Sequence, residues 1–124
     1  MRIFPYYTYL NKKIYYKINN SKKDKAIVFI HGSGEHSFVW GSQINNVDVD
    51  LKLIAIDLPS HGKSDEYKNL SLELYVETVR QFIDELQLKG VILCGHSLGG
   101  AIAQQYYLKH PNNVIGLILC STGA

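Results

Sequence analysis

A serine between glycines follows an apolar run near the end of the chain. Residues 91–100 read VILCGHSLGG, in which Gly95, Ser97 and Gly99 form the pattern G-x-S-x-G. A serine in this pattern can attack an acyl carbon, because a sharp strand-to-helix turn lifts its hydroxyl clear of the backbone. The glycines lack Cβ atoms, so strand and helix can approach closely around the serine. Ser97 is therefore a candidate nucleophile, and the N–H of Leu98 lies at a helix N-terminus, which favours negative charge.

A second glycine-rich segment, HGSG at residues 31–34, follows the apolar run AIVFI at residues 26–30. A serine nucleophile of this kind requires a second backbone N–H donor from such an upstream strand end. Gly32 and Gly34 leave the backbone open to a ligand because they carry no side chain. The pattern G-x-S-x-G also occurs in ordinary turns, but the second segment in the expected place favours the catalytic interpretation of Ser97.

Apolar and polar residues alternate along the chain in a way that predicts strands and helices in turn. Two segments rich in tyrosine and isoleucine, FPYYTYL and KIYYKIN, flank the polar residues NK and predict a hairpin. Apolar residues at three- and four-residue spacing predict a helix capped by Ser71. A second helix follows Ser97 and is stopped by Pro111. Short apolar runs predict three buried strands, AIVFI, LKLIAID and VILC, and VIGLILC predicts a last strand.

The alternation of strands and helices predicts an α/β fold with a mostly parallel sheet. We expect residues 1–124 to be the N-terminal part of a single domain. Ligands of such sheets bind at the carboxyl ends of the strands. Because HGSG, DLPSHG and GHSLGG all fall at those ends, we expect three separated loops to meet at one rim.

Composition restricts the classes of function. The net charge is only +2, which gives no case for nucleic acid or an anionic membrane as a partner. The chain shows neither a membrane-spanning run nor a signal peptide, so the expected location is cytoplasmic. Cys94 and Cys120 predict buried thiols rather than a disulfide framework. No metal-ligand cluster and no dinucleotide glycine pattern indicates a metal or a cofactor.

Three motifs together resemble the N-terminal half of an α/β-hydrolase, a superfamily of esterases, lipases and related enzymes. They are HGSG at 31–34, DLPSHGKS at 57–64 and GHSLGG at 95–100. The resemblance runs from about Ile14 to the end and implies a mostly parallel sheet with an N-terminal antiparallel hairpin. The middle motif of the family usually has glycine where this chain has Ser60. We expect that departure to change only the shape of the loop.

The resemblance also implies roles for individual residues. Ser97 would be the nucleophile, and the backbone N–H groups of Ser33 and Leu98 would form an oxyanion hole. The substrate would be a small acyl compound, with no cofactor. The supporting positions of the two glycine-rich motifs would be His31, Gly32, Gly34, Gly95, His96 and Gly99.

The five histidines differ in what they can do. His96 is a poor candidate for the catalytic base, because neighbouring side chains in a tight turn diverge. We expect His31 to brace the HGSG loop through hydrogen bonds and His61 to brace the loop after position 57. His110 ends the second helix, where an imidazole suits the free carbonyl groups. His36 either lines the substrate pocket or is a solvated loop residue.

Asp57 ends a predicted strand, a position where catalytic groups can occur. We favour a structural role in which its carboxylate accepts backbone N–H groups of its own loop, because the acid of this fold follows the serine in sequence. Four aromatic side chains are expected to pack against neighbours, Phe38 and Trp40 behind the HGSG loop and Tyr106 and Tyr107 on the second helix.

The partners of the serine are missing from these residues. The fold's chain order is serine, acid, histidine, yet after Ser97 the sequence has no Asp or Glu and only His110. One hypothesis is a serine hydrolase whose acid and histidine lie in a missing C-terminal half, so that residues 1–124 alone are inactive. The other is a non-catalytic pseudoenzyme or interaction module that uses the rim only to bind.

Two further expectations concern chemistry and assembly. Ester hydrolysis is the commonest reaction on this scaffold, and thioester hydrolysis, perhydrolysis, acyl transfer and C–C cleavage stay open. The segment VIGLILC would be an exposed apolar edge, and such edges promote pairing with another chain. We therefore expect self-association through this last strand.

Overall fold

The computed structural model describes residues 5–46 and 49–121, which form six β-strands and three α-helices. The strands are β1 (Tyr6–Tyr9), β2 (Lys12–Ile18), β3 (Ala26–Ile30), β4 (Lys52–Ile56), β5 (Val91–His96) and β6 (Val114–Cys120). The helices are α1 (Gly41–Asn46), α2 (Leu72–Glu85) and α3 (Leu98–Lys109). Short 3₁₀ turns, Ser37–Trp40 and Pro111–Asn113, precede α1 and β6.

The strands form one sheet in the order β1-β2-β4-β3-β5-β6. Strands β1 and β2 form an antiparallel hairpin, and β2 also runs antiparallel to β4. The remaining neighbours are parallel, β4 with β3, β3 with β5, and β5 with β6. This arrangement confirms the predicted α/β fold with an N-terminal antiparallel hairpin. The carboxyl ends of β3, β4 and β5 consequently lie at one edge of the sheet, as expected.

Two layers of side chains hold the sheet. On one face, Val76, Val79 and Phe82 of α2 pack with Val28 and Leu93 of the central strands. Ser71 caps α2 as predicted, because its side chain accepts the N–H of Leu74 at 3.0 Å. The other face carries a smaller cluster around α1, formed by Phe29, Trp40, Ile44, Leu53, Ala55 and Cys94. Burial of these apolar groups stabilises the sheet and fixes its strand ends in space.

The hairpin turn lies one residue earlier than the sequence predicted. Leu10 and Asn11 form the turn, with φ angles of 55° and 63°, and Lys12 already belongs to β2. Two consecutive positive φ angles are typical of the tight turns that match the twist of a hairpin. The polar character of Lys12 had marked it as a turn residue, but a polar side chain on an edge hairpin is compatible with a strand.

Two of the four predicted packing aromatics are exposed. Trp40 is buried and stacks on Phe29 with ring centroids 4.9 Å apart, but Phe38 is 52% exposed, with the ammonium of Lys17 4.3 Å from its ring centroid. Residues three apart share a face of a 3₁₀ turn. Burial of Ser37 and Trp40 therefore turns Phe38 outward.

The second helix shows the same effect. Tyr106 is buried, whereas Tyr107 is 44% exposed. Adjacent positions on an α-helix point about 100° apart, so burying one tyrosine directs the next away from the core. Tyr107 was therefore wrongly predicted as a packing residue.

The two cysteines are thiols, as predicted. Cys94 is buried and Cys120 is half-buried at the adjacent strand. Burial, followed by the neighbouring Cys120 thiol, raises the pKa of Cys94. A thiol with a raised pKa is a poor nucleophile, so Cys94 serves packing.

Candidate active site

Ser97 occupies the turn between β5 and α3 in a backbone conformation that favours glycine. Its φ is 55° and its ψ is −115°, a region that costs a non-glycine residue about 1–3 kcal/mol. The turn is held by the Ser97 N–H, which donates to the Cys120 carbonyl at 3.2 Å, and by the Ser97 carbonyl, which accepts from Gly100 N at 2.9 Å. Its side chain is exposed and forms no capping hydrogen bond with the helix. The strain thus presents an uncommitted hydroxyl to solvent.

The glycines that flank Ser97 permit this turn. A Cβ atom on Gly95 would overlap the carbonyl group of Gly99, and one on Gly99 would overlap the carbonyl group of Ile30. The first turn of α3 therefore lies against the ends of both β5 and β3 at a distance that only glycine allows. This contact also brings the start of α3 beside the segment that follows β3.

Residues 32–35 form a tight turn at the end of β3. The Glu35 N–H donates to the Gly32 carbonyl at 3.1 Å, and Gly34 has a φ of 76°, as the third residue of such a turn can require. Ser33 lies exposed in this turn. Within the described residues, the N–H groups of Ser33 and Leu98 donate no hydrogen bond.

His31 braces this loop, as the sequence predicted. It is fully buried; its Nδ1–H donates to the Gly32 carbonyl at 2.7 Å, and its Nε2 accepts the Leu58 N–H at 3.1 Å. The two bonds fix the neutral tautomer with the proton on Nδ1. Burial lowers the pKa of His31, which keeps it neutral and able to accept the bond from Leu58.

Glu35 is a residue of this region that the sequence analysis missed. Its Oε1 accepts the Gly32 N–H at 2.8 Å and lies 3.1 Å from Nδ1 of His96. The Gly32 N–H and the His96 side chain lower the pKa of Glu35, so it is a carboxylate. An acidic residue three positions after Gly32 in a tight turn could have indicated the first contact. The contact with His96 spans 61 positions and had no local signal.

Asp57 has the structural role that was favoured. Its buried carboxylate accepts two backbone N–H groups, from Ser37 at 2.7 Å and from Lys63 at 3.0 Å. A Cβ on Gly62, whose φ is 54°, would collide with the carboxylate. Asp57 therefore ties the loop after β4 to the 3₁₀ turn before α1.

Ser60 departs from the family motif at a position where the backbone itself favours glycine. Its φ is 64°. The hydroxyl compensates by accepting the Tyr67 N–H at 2.8 Å, and the Tyr67 hydroxyl in turn donates to the Tyr9 carbonyl at 2.7 Å. The serine therefore acts within the loop, by joining position 60 to Tyr67, and the bond to the hairpin is made by Tyr67.

The side chains of three further histidines bond to groups other than the Ser97 hydroxyl. His61 braces its own loop through Nδ1 and the Pro59 carbonyl, 2.9 Å apart, as expected. His110 ends α3, and its Nε2 contacts Glu77 at 2.9 Å. His36 caps the 3₁₀ turn by accepting the Phe38 N–H at 3.2 Å. It also lines a surface depression of about 200 Å³ that Ser97 does not line. The exposed ring of His36 therefore fits a solvated loop residue.

The described ranges 5–46 and 49–121 hold neither a cluster of metal-binding side chains nor a helix suited to a membrane. Three or more His, Cys, Asp or Glu side chains do not cluster there in a way that could hold a metal ion. None of the helices in those ranges has the length and apolar character needed to cross a bilayer.

Comparison with known proteins gives a consistent family. Residues 25–123 match the family described as the alpha/beta hydrolase fold. The chain is similar to protein phosphatase methylesterase 1 of Candida albicans, with 36% identity over 86% of this chain and 31% of that protein. It is also similar to a pimeloyl-[acyl-carrier protein] methyl ester esterase of Yersinia enterocolitica, with 34% identity over 90% of this chain and 41% of that protein.

A solved structure extends the similarity to three dimensions. The structure of Est816, described as an N-acyl homoserine lactone degrading enzyme, superposes with a TM-score of 0.88 and 31% identity. The superposition covers 96% of this chain and 46% of that one. The chain thus spans less than half the length of these three proteins.

Proposed function

The chain belongs to the α/β-hydrolase family, and from the site we propose that it is a serine hydrolase that cleaves a carboxylic ester or a related acyl substrate. Ser97 is the nucleophile. The N–H groups of Ser33 and Leu98 form the oxyanion hole. The observation that carries this proposal is the strained φ and ψ of Ser97, 55° and −115°, with an exposed hydroxyl at the end of β5. Strain of this kind clusters at functional sites.

The proposed reaction uses the donors that the two turns leave open. The Ser97 oxygen attacks the acyl carbon while its proton passes to a histidine base, and the carbonyl oxygen becomes an oxyanion. The N–H of Leu98 lies at the start of α3, where the helix dipole favours negative charge. Collapse of the intermediate expels the alcohol and leaves an acyl-serine, which water then hydrolyses. Each such donor contributes about 3 kcal/mol to the transition state.

Within the described residues, the Ser97 hydroxyl has no hydrogen bond to a histidine base or to an acid that could orient one. The side chain of His110 is engaged by Glu77 at 2.9 Å. In the chain order of this fold, acid and histidine follow the serine. The two curated relatives extend well beyond the matched part, since it covers 31% and 41% of them. The activity is therefore proposed for the full-length protein.

The relatives favour an ester among the acyl substrates. One is named as a methylesterase and another as a methyl ester esterase, and Est816 is described as an N-acyl homoserine lactone degrading enzyme. Hydrolysis of an ester needs only the nucleophile, the base with its acid, and the oxyanion hole. Thioester hydrolysis, perhydrolysis, acyl transfer and C–C cleavage use a similar serine and are alternatives within the same proposal.

A fluorophosphonate probe tests the nucleophile directly. We expect the full-length protein to be labelled on Ser97, and Ser97→Ala to abolish labelling. The same variant should lower p-nitrophenyl acetate turnover by about 10⁴-fold or more, to the level of residual binding catalysis. Ser42→Ala, which removes an exposed hydroxyl on α1, is the matched control. Equal labelling of wild type and Ser97→Ala would refute the assignment.

A binding module on the same scaffold is the second candidate. It is favoured by one observation, that within the described residues the Ser97 hydroxyl makes no bond to a capping group or base. A binding module would retain an ester analogue without turnover and without Ser97-dependent labelling. Labelling and turnover that both disappear in Ser97→Ala would exclude it.

A further inference from the structure

A single carboxylate touches both turns of the proposed site. Glu35 Oε1 accepts the N–H of Gly32 at 2.8 Å, the residue that precedes Ser33. The same oxygen lies 3.1 Å from Nδ1 of His96, the residue that precedes Ser97. Because a carboxylate is an acceptor only, His96 must carry its proton on Nδ1 to donate. One oxygen atom thus joins a loop after β3 to the end of β5.

Among residues 5–46 and 49–121, few other hydrogen bonds hold the turn of residues 32–35. The turn's own bond runs from the Glu35 N–H to the Gly32 carbonyl, and the His31 ring donates to the same carbonyl. A Cβ on Gly32 would lie 2.7 Å from the Glu35 carboxylate and 3.3 Å from His96 Nδ1. The carboxylate therefore fills the space between the turn and β5, and a bulkier residue at position 32 would displace it.

We propose that Glu35 is a positioning residue, which fixes the N–H of Ser33 relative to Ser97 and the N–H of Leu98 by bridging Gly32 and His96. This inference rests on the proposed function. The bridge depends on the ability of the Glu35 carboxylate to accept hydrogen bonds. The side chains of His96 and Glu35 are 38% and 34% exposed, so solvent screens their charges and the directed hydrogen bonds matter more than the ion pair.

The other charged and titratable groups near the bridge bond to partners of their own. The ring centroids of His31 and His61 are 5.0 Å apart. Both nitrogens of His31 are engaged, by Gly32 and Leu58. The Asp57 carboxylate is occupied by Ser37 and Lys63. Glu35 is therefore the acceptor that links the two turns.

The test compares three variants of the full-length protein, Glu35→Ala, Glu35→Gln and Glu66→Ala. Glutamine keeps an acceptor oxygen at the same position, whereas alanine removes it. Glu66 is an exposed carboxylate in the loop before α2 and serves as the matched control. The readouts are kcat and KM for p-nitrophenyl acetate, together with the backbone amide signals of residues 32–34 and 96–99 in NMR spectra.

We expect Glu35→Ala to lower kcat by about 10- to 100-fold, because a misplaced donor loses transition-state stabilisation. KM should stay within about twofold, since the oxyanion exists only in the transition state. Glu35→Gln should recover most of kcat, and Glu66→Ala should match wild type. An unchanged kcat in Glu35→Ala, a change confined to KM, or an equal loss in Glu35→Gln would overturn the proposal.

The amide signals separate this proposal from the proposed function. Glu35→Ala should shift the signals of both turns, and Glu66→Ala should shift neither. If the signals of residues 96–99 do not respond, the bridge is refuted whatever the activity. If wild type shows no Ser97-dependent turnover, the proposed function fails and the positioning role fails with it, while a response of both turns would still establish the bridge.

Discussion

The first turn of helix α3 lies against the carbonyl of Ile30 so closely that Gly99 has no room for a side chain. A Cβ atom on Gly99 would overlap that carbonyl group and lie 2.8 Å from the carbonyl oxygen of His31. Gly99 follows β5, whereas Ile30 ends β3, its neighbour in the sheet. This contact places the turn that carries Ser97 beside the turn that carries Ser33. It requires a glycine at position 99, which is the last glycine of the pattern G-x-S-x-G.

Substitution of Gly99 by alanine should therefore destabilise the fold. The added methyl group must displace α3 or β3, and overpacking of this kind costs about 1–3 kcal/mol. Urea unfolding followed by circular dichroism measures the change. Gly41→Ala is the control, because Gly41 has a helical φ of −56° and nothing within 4 Å of its added Cβ. It should be neutral or stabilising by about 0.4–1 kcal/mol. Equal effects of both substitutions would contradict the overlap.

Ser97→Gly should be more stable than Ser97→Ala. Both variants remove the hydroxyl, but only glycine adopts a φ of 55° and a ψ of −115° without strain. After the higher entropy of glycine in the unfolded chain is subtracted, we expect a difference of about 1 kcal/mol. Unfolding free energies of the two inactive variants give it directly. Alanine at least as stable as glycine would mean that the turn is relaxed.

His31 should make stability depend on pH. Burial lowers its pKa below 6.5 in the folded protein, so between the two pKa values the unfolded chain binds more protons. Its contribution is complete above about pH 6.5 and is lost as the pH falls toward the folded pKa.

The measurement is the unfolding free energy of wild type and of His31→Asn at about pH 7 and about pH 5. We expect the free energy of wild type to fall more steeply, since asparagine does not titrate. Parallel slopes for wild type and His31→Asn would show that His31 does not couple protonation to folding.

We propose that the 124-residue polypeptide self-associates through β6. This strand is last in the sheet order, and its outer edge pairs with no strand within the described residues. Its side chains include no charge, and Ile115, Ile118 and Leu119 are 58%, 46% and 44% exposed. An apolar open edge without charged or proline residues is a template for a second copy.

Light scattering after size exclusion tests this self-association. Ile118→Lys should shift the polypeptide toward the monomer, because a charge on β6 opposes pairing. Leu108→Lys provides the matched control, since Leu108 is 74% exposed and belongs to α3 rather than to β6. A monomeric wild-type polypeptide, or equal dissociation by both substitutions, would rule out β6 as the contact.

Local patterns in the sequence determined the elements and the motifs. The bounds of β3 and β6 match the predicted apolar runs AIVFI and VIGLILC. An uninterrupted apolar run predicts a strand buried on both faces, which holds for β3, whereas β6 is mostly exposed. Ser71 marked the start of α2, because a cap is read from adjacent residues. The glycines around Ser97 predicted a tight turn for the same reason, since absence of a Cβ is a local property.

Only the tertiary structure decided which separated residues meet. The insertion of β4 between β2 and β3 follows from how the strands pair, which no local period encodes. The outward position of Phe38 depends on Trp40 stacking on Phe29. The bridge from Glu35 to His96 exists because β3 and β5 are neighbours. Contacts of this kind depend on the free energy of the whole packed sheet. A sequence pattern over a few neighbouring residues does not reveal that free energy.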